Sequence, residues 1–328
     1  MLRVNEPAFV GGTMKTLRIV FMGTAGVSCA SLEELARTRG FQIAAVVTRP
    51  EQPKGRELKP QSPPVKTLAL RLSLPVLQPQ RARDGKFIAE LGELKPDLIV
   101  VVGYGQILPS SILELPCHGC LNVHMSLLPR YRGAAPIQWA IANGDTETGV
   151  TIMKMDVGLD TGDIVAQRRT PIQATDNFAT LHDRLAQLGA ELLVEYIPGY
   201  IAGEIRPTPQ PAEGISHAPK IKKEDGRIDW SLTAKTIWSR LRAFTPWPGA
   251  FTSLPAQPKP KMLKIWKAEV VERSAIPGEI LSADKSGIVV ACGVDALRIL
   301  ELQREGGRRM SATEFLAGHA LKVGGKFG

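Results

Sequence analysis

An amide, an imidazole and a carboxylate that could act together occur near the middle of the chain. Asn122 and His124 lie two residues apart, and Asp160 follows in a glycine-flanked turn. Side chains two apart on a β-strand point to the same face, so Asn122 and His124 are expected to project side by side. These groups suit a reaction in which one substrate attacks another and the protein stabilises the charge that develops. The set includes no nucleophile and is not a complete set of metal ligands.

An Asn-x-His strand is more often structural than catalytic, because short motifs match by chance. Two observations favour catalysis here. Pro129 and Gly133 force an irregular loop after the strand, and α/β proteins place their ligand sites at the carboxyl ends of strands. Asp160 also lies in a polar, glycine-rich turn just before the apolar run 164–166.

Composition restricts the class of protein. A chain of 328 residues is expected to form two domains, and its 44% hydrophobic and 22% charged residues are typical of soluble globular proteins. No apolar run approaches the roughly 18 residues of a membrane span. Four cysteines do not form a disulfide framework in a chain of this length, which favours a reducing, cytoplasmic location. The segment 117–120 (CHGC) has redox or zinc spacing without a second ligand pair, so we expect a loop entering a strand and no metal.

The positive charge is concentrated in the second half. From Pro207 onward there are 19 Lys and Arg against 12 Asp and Glu, a net charge of +7, whereas the first 206 residues have 22 against 20, a net charge of +2. A basic half joined to a nearly neutral half suggests a polyanion-binding module attached to a catalytic one. A basic surface that serves solubility alone is the alternative.

Hydrophobic patterns predict an α/β fold. The predicted strands are 17–23, 43–47, 98–102, 120–124 and a later one that begins at Val150; helical spacing follows at Leu32, Leu35 and Ala36 and at Leu181, Leu185, Leu188 and Leu192. Strands that alternate with helices indicate a Rossmann-like, mostly parallel sheet with helices on both faces.

Changes in composition and hydrophobic pattern along the chain predict four segments. Residues 1–14 form an N-terminal extension, with Met14 a candidate natural start, and residues 15–202 form the catalytic domain. The proline-rich stretch 203–219 is predicted to be an extended linker. In 220–328, a helix at 233–243 precedes short β-type runs at 262–266, 288–292 and 297–300, which predict a small OB-like β-barrel, a fold that commonly binds nucleic acid when it is basic.

One loop of the first half, 48–64, is long, proline-rich and basic. Connections in α/β units usually have two to six residues. Its charge and its position after a strand favour a loop that reaches a substrate. The alternative is a disordered surface loop.

Taken together, these residues resemble the folate-dependent formyltransferases, and among them the methionyl-tRNA formyltransferases. The resemblance runs from Leu17 to about Leu316; its segments are 18–24, 101–109, 122–137, 156–163, 227–230 and 242–248. The Asn-x-His and Asp signature is common to the folate-dependent enzymes. The long basic loop and the second half are what resemble the tRNA-specific branch.

The resemblance implies transfer of a formyl group from 10-formyltetrahydrofolate to the α-amino group of initiator methionyl-tRNA. Asn122 and protonated His124 would stabilise the oxyanion, as preorganised donors do, and Asp160 would orient the imidazole and favour its charged form. The donor is expected beside Ser126, Leu127, Leu128 and Pro129, and Arg56 is expected to contact the tRNA acceptor end. A monomer without a metal and without a membrane association is expected.

Other functions remain open from sequence. A formyltransferase acting on glycinamide ribonucleotide or a sugar amine, and a hydrolase that releases formate, would use the same signature. A non-catalytic RNA-binding protein would account for the basic half but not for the polar trio. A nicotinamide dehydrogenase is disfavoured because segment 23–26 (GTAG) lacks the G-x-G-x-x-G spacing.

Overall fold

The computed structural model describes residues 16–54, 59–254 and 261–328. The predicted extension 1–14 and Arg56 lie outside the described residues. The chain divides into two compact units, one up to Asn122 and one from Val123 onward, and each is described by itself. Within the described ranges, no helix is long and apolar enough to cross a membrane.

The first unit is built on a parallel sheet. Its strands are β1 (Leu17–Gly23), β2 (Phe41–Val47), β5 (Val76–Leu77), β6 (Leu98–Val102) and β7 (Cys120–His124), in the order β5-β2-β1-β6-β7. All five residues of β6 are buried. Continuous burial is typical of a parallel strand covered on both faces, so the predicted α/β class is confirmed.

Helices connect these strands. They are α1 (Ser28–Arg37), α2 (Pro64–Arg71), α3 (Gly85–Glu93) and α4 (Ser110–Leu113). Helix α1 buries Leu32 and Leu35, as their spacing predicts. Helix α3 begins where the Asp84 side chain accepts a hydrogen bond from the Lys86 amide, which satisfies one unpaired donor of the first turn.

The loop predicted to reach a substrate contains a short hairpin. Strands β3 (Gln52–Lys54) and β4 (Lys59–Gln61) pair antiparallel on either side of four residues that the structure does not describe. At the base of this hairpin, Lys66 contacts Glu51 with 3.0 Å between Nζ and Oε1. The sequence does not predict this hairpin, because its strands are too short to show a β pattern.

The second unit begins with the end of β7. Its next elements are β8 (Arg132–Gly133), α5 (Pro136–Ala142), β9 (Glu147–Lys154), β10 (Ile164–Pro171), α6 (Phe178–Ile201) and β11 (His217–Ala218). Strands β9 and β10 pair antiparallel. Helix α6 buries Leu181, Leu185 and Leu192 of the predicted stripe. Its Gly189 allows close packing, because a Cβ there would lie 2.8 Å from Val123 Cγ1.

A smaller β domain completes the second unit. Its elements are a 3-10 turn (Lys223–Gly226), α7 (Ala234–Ala243), β12 (Ala250–Leu254), β13 (Lys261–Val271), β14 (Ile280–Asp284), β15 (Gly287–Ala291), β16 (Ala296–Arg304), β17 (Arg309–Ser311) and α8 (Ala312–Gly318). The strands pair antiparallel in the order β12-β13-β16-β15-β14, with β17 on β16. Trp230 and Phe315 lie in its core. The prediction of a small β domain after the α/β sheet is confirmed.

Helix α7 packs against the preceding part of this unit. The rings of Trp139 on α5 and Phe244 meet edge to face, with centroids 6.4 Å apart. Trp139 Nε1 donates to the carbonyl of Pro219 at 2.8 Å. Arg242 of α7 donates to the carbonyls of Gln173 and Asp176 at 3.1 and 2.9 Å. The small domain is therefore joined to α5 and to the turn before α6 by side-chain contacts as well as by the chain.

The stretch 203–219, which the sequence predicts to be an extended linker, contains turns and bends and pairs with neighbouring strands at two places. Thr208 and Ile164 exchange two backbone hydrogen bonds, of 2.7 and 2.9 Å. Farther on, β11 pairs in parallel with β8. Regular pairing of this kind fixes the path of the backbone, so this segment is an integral part of the second unit.

Candidate functional site

The candidate site is built around the carboxyl end of β7. Asn122 and His124 occupy alternate positions of this strand, as the sequence predicts. Asn122 is partly buried and His124 is buried. The strand ends at His124, and an irregular segment follows up to Gly133, so these two residues lie where a sheet offers its ligand-binding edge.

The imidazole of His124 is oriented by a backbone carbonyl. Its Nε2 lies 2.9 Å from the carbonyl oxygen of Tyr131. A carbonyl only accepts hydrogen bonds, so Nε2 must carry a hydrogen and donate it. The other ring nitrogen, Nδ1, lies 3.7 Å from Asp160 Oδ1. Nδ1 is therefore the ring nitrogen that faces the carboxylate of Asp160.

Asp160 is held facing His124 by an unusual backbone conformation. Its φ is +54°, in the left-handed region that aspartate adopts more readily than most residues. Its Oδ2 accepts a hydrogen bond of 2.8 Å from the Gly133 amide, which leaves Oδ1 on the side of the imidazole. The side chains of His124 and Asp160 are only 7% and 12% exposed, so their electrostatic interaction is weakly screened.

The loop between β9 and β10 is organised by Asp156. This carboxylate accepts hydrogen bonds from the Gly158 amide at 3.0 Å and from Thr161 Oγ1 at 2.7 Å. Gly162 passes so close to the end of β9 that a Cβ would lie 1.9 Å from the Lys154 carbonyl oxygen. Gly162 is thus required by the tight path of this loop.

Tyr131 accepts the hydrogen bond from His124, and hydrogen bonds hold both its backbone and its side chain. Its backbone φ is +61°, and its amide donates to Ser216 Oγ at 2.9 Å. Its hydroxyl donates to Asp145 Oδ2 at 2.8 Å. Burial, the largest effect, raises the pKa of the Tyr131 hydroxyl, which keeps it neutral and able to donate.

The segment predicted to hold the folate, Ser126 to Pro129, follows β7 directly. Thr151 of β9 accepts from the Leu128 amide at 3.0 Å and donates to the Ser126 carbonyl at 2.7 Å. Gln167 of β10 donates to the Leu128 carbonyl at 2.8 Å. Among the four residues only Leu127 exposes part of its surface. Leu127 is therefore the side chain of this segment that a ligand can touch, and its neighbours hold it in place.

The structure thus brings His124 and Asp160 together and places Asn122 on the same strand as His124. It also adds residues that the sequence does not single out: the backbone groups of Tyr131 and Gly133, and the side chains of Thr151 and Gln167. No periodicity marks these positions. Arg56, the predicted tRNA contact, lies outside the described residues.

The CHGC segment forms a turn that enters β7, as the sequence predicts. Cys120 begins β7 and is buried, and burial raises the pKa of its thiol to about 12. Cys117 is exposed and its thiol faces the Asp97 carbonyl at 3.6 Å. Among the described residues, no group of three or more His, Cys, Asp or Glu side chains could hold a metal ion.

Comparison with known proteins identifies the family. The formyl transferase family model matches residues 17–197, and the model of the formyl transferase C-terminal domain matches 220–320. The methionyl-tRNA formyltransferase of Citrifermentans bemidjiense is 50% identical over 96% of this chain and 98% of its own length. That of Myxococcus xanthus is 51% identical over 95% and 98%. The chain belongs to the methionyl-tRNA formyltransferase family.

Solved structures show the same fold outside this family. HypX from Aquifex aeolicus, in complex with tetrahydrofolic acid, aligns with a TM-score of 0.59 and 21% identity over 92% of this chain and 47% of its own. The N-formyltransferase from Helicobacter canadensis aligns with a TM-score of 0.62 and 20% identity over 86% and 99%. At such identities these likenesses establish the fold alone.

Proposed function

We propose that this methionyl-tRNA formyltransferase family member transfers a formyl group from 10-formyltetrahydrofolate to the α-amino group of methionyl initiator tRNA, giving formylmethionyl-tRNA for translation initiation. The observation that carries the proposal is the buried His124–Asp160 pair, 3.7 Å apart at a strand end. It occurs in a chain about half identical, over nearly its full length, to proteins named for this activity.

The chemistry requires stabilisation of an oxyanion. The neutral amine attacks the formyl carbon, a C–N bond forms and the carbonyl electron pair moves to oxygen. As the tetrahedral species collapses, its bond to N10 of the folate breaks. The amine loses one proton and N10 gains one, so protons balance. A preorganised donor to such an oxyanion is worth about 3–4 kcal/mol of barrier, and we assign this role to Asn122 and to protonated His124.

The fixed tautomer determines which atom of His124 acts. Nε2 is committed to the Tyr131 carbonyl, so donation to the oxyanion falls to Nδ1. Asp160 lies beside Nδ1 and stabilises the charged ring by its negative charge. We assign the transfer of the proton from the amine to N10 to the same nitrogen or to an ordered water.

The donor would bind against Leu127. A flat pterin needs an apolar surface and nearby backbone hydrogen-bonding groups. Leu127 offers the apolar surface, and Thr151 and Gln167 form hydrogen bonds with the backbone of its neighbours Ser126 and Leu128. This surface is supported by three buried residues, Ser126, Leu128 and Pro129.

The tRNA would contact the small domain in addition to the loop that carries Arg56. On β13, the partly buried ring of Trp266 lies between the cationic groups of Lys264 and Arg309, 5.8 and 5.3 Å from its centroid. Lys267 next to it is exposed. An aromatic ring among cations is suited to RNA, because rings stack on bases and cations pair with phosphates. We therefore assign residues 15–202 to catalysis and 220–328 to tRNA binding, in a cytoplasmic monomer.

Transfer of labelled formyl from the folate donor to charged initiator tRNA tests the proposal. We expect acid-precipitable label in the tRNA with the parent protein and a severe loss with His124→Ala. Parallel reactions without any amine measure free formate, and reactions with a sugar amine measure an alternative acceptor. Label that appears only as formate or only on the sugar amine refutes the proposed acceptor, and near-normal turnover by His124→Ala refutes the mechanism.

A further inference from the structure

Gln210 lies in the proline-rich stretch 203–219 and reaches the loop that carries Asp160. We propose that Gln210 is a positioning residue for formyl transfer, which holds Asp160 in the conformation that faces His124. This inference rests on the proposed function and extends it to a residue outside the polar trio. It assigns a role in the catalytic step to a segment that sequence analysis describes as a linker.

Every hydrogen-bonding position of the Gln210 amide is used. Its Nε2 donates to the carbonyl oxygens of Asp160 and Gly162, each at 2.8 Å. Its Oε1 accepts from Nε and Nη2 of Arg132 at 3.1 and 2.7 Å. An amide offers two donor hydrogens and two acceptor lone pairs, so the side chain is held in a single orientation and joins β8 to the loop between β9 and β10.

Both segments joined by Gln210 determine the position of the Asp160 carboxylate. One bond anchors the Asp160 carbonyl itself, and thereby the left-handed backbone of this residue. The bonds to Arg132 anchor the residue next to Gly133, whose amide holds Asp160 Oδ2. Backbone conformations of this kind persist only where the surroundings over-determine them, and Gln210 supplies part of that constraint.

The backbone of the same segment supports the other partner of the pair. Ser216 accepts from the Arg132 amide at 2.9 Å through its carbonyl, and from the Tyr131 amide at 2.9 Å through its hydroxyl. Tyr131 in turn accepts the hydrogen bond from His124. The segment therefore contacts residues that hold both His124 and Asp160. These contacts favour a role in aligning the two side chains over a role in tethering the segment alone.

A tethering role and a positioning role predict different kinetics. Misplacement of a catalytic group by about 1 Å costs about 100-fold in rate. We expect Gln210→Met, which keeps the length of the side chain and removes its hydrogen bonds, to lower kcat about 10- to 100-fold. The KM values for donor and tRNA should change by less than about threefold. A residue that only tethers the segment would change stability and leave kcat unaltered.

The decisive measurement is a double-mutant cycle with Asp160→Asn. If Gln210 acts through Asp160, the double variant should be no slower than Asp160→Asn alone, because coupled residues are not additive. Gln42→Met is the matched control, since Gln42 accepts from Arg18 at 3.1 Å on the exposed surface at the start of β2. Its kcat should equal that of the parent.

Unfolding by urea establishes that each variant is folded, and Gln210→Ala serves in place of Gln210→Met if the latter does not fold. Unchanged kcat in the folded Gln210 variant, or losses that multiply in the double variant, overturn the inference. Failure of the proposed function looks different, because the parent and Gln42→Met would then also fail to formylate the tRNA.

Discussion

The negative charge of Asp160 should contribute more to the rate of formyl transfer than the shape of its side chain. Asp160→Asn keeps the size of the side chain, and the amide oxygen can still accept the hydrogen bond from Gly133 that now measures 2.8 Å. The negative charge 3.7 Å from His124 Nδ1 is removed. The substitution therefore separates the electrostatic contribution of Asp160 from its contribution to the loop.

The size of the effect follows from the distance and the burial. Opposite unit charges at about 4 Å attract by about 4 kcal/mol at an effective dielectric constant of about 20, and by about 1 kcal/mol in water. Because both side chains are at most 12% exposed, the interaction lies nearer the larger value. Loss of about 2–4 kcal/mol from the transition state that contains charged His124 lowers kcat about 30- to 1000-fold.

Single-turnover transfer of labelled formyl to charged initiator tRNA measures this step without product release. Asp163→Asn is the matched control, because it makes the same chemical change on an exposed side chain three positions along the loop. Its rate should stay within about twofold of the parent. Binding of the donor and of tRNA to Asp160→Asn should be nearly unchanged, because the interaction that is removed belongs to the transition state.

A rate for Asp160→Asn within about threefold of the parent, in a protein shown to be folded, would refute the electrostatic role. Equal losses in Asp160→Asn and Asp163→Asn would instead attribute the effect to the loop as a whole. In either case His124 would have to stabilise the oxyanion without help from this carboxylate.

Three further predictions concern other parts of the chain. Thr151→Val leaves the buried Leu128 amide without its acceptor, so urea unfolding should show a loss of about 1–3 kcal/mol, and the donor Kd should rise. Burial alone would raise the pKa of Asp176, but hydrogen bonds from Arg184 and the Gln173 amide outweigh it and lower the pKa. Asp176→Asn should therefore destabilise the protein to urea above about pH 4, and the difference from the parent should vanish as the pH falls through the lowered pKa. Lys267→Ala should reduce the salt dependence of tRNA binding by about 0.7–0.9 in log–log slope, as expected when one phosphate is no longer neutralised by the protein; an unchanged slope would remove Lys267 from the interface.

Sequence patterns predict β1, β6 and β7, because most residues of these strands are apolar. The bounds predicted for β1, β6 and β7 are those observed, and β7 alone places Asn122 and His124 on one face. Helix α7 is also predicted within one residue at each end, since Thr233 precedes a regular apolar spacing and caps the helix.

The supports of the site are not predictable in this way. The contribution of Tyr131 is a backbone carbonyl and that of Gly133 a backbone amide, groups that every residue or nearly every residue has. Gln210 is a single polar side chain between prolines, where the sequence has neither helical nor strand periodicity. Its partners Asp160 and Arg132 are 50 and 78 positions away, so only the tertiary fold reveals the connection.

The way in which the stretch 203–219 is embedded limits how this enzyme can be recombined with its relatives. A chimera joined at residue 203 would replace Gln210 and Ser216, which contact Asp160 and Tyr131, by the residues of the relative, whereas one joined at 220 would keep the native contacts. The second junction still separates Trp139 from its native partner Phe244 on the exchanged part. Exchange of the small domain between relatives should therefore succeed most often when the relative that supplies this domain also matches the surface of α5.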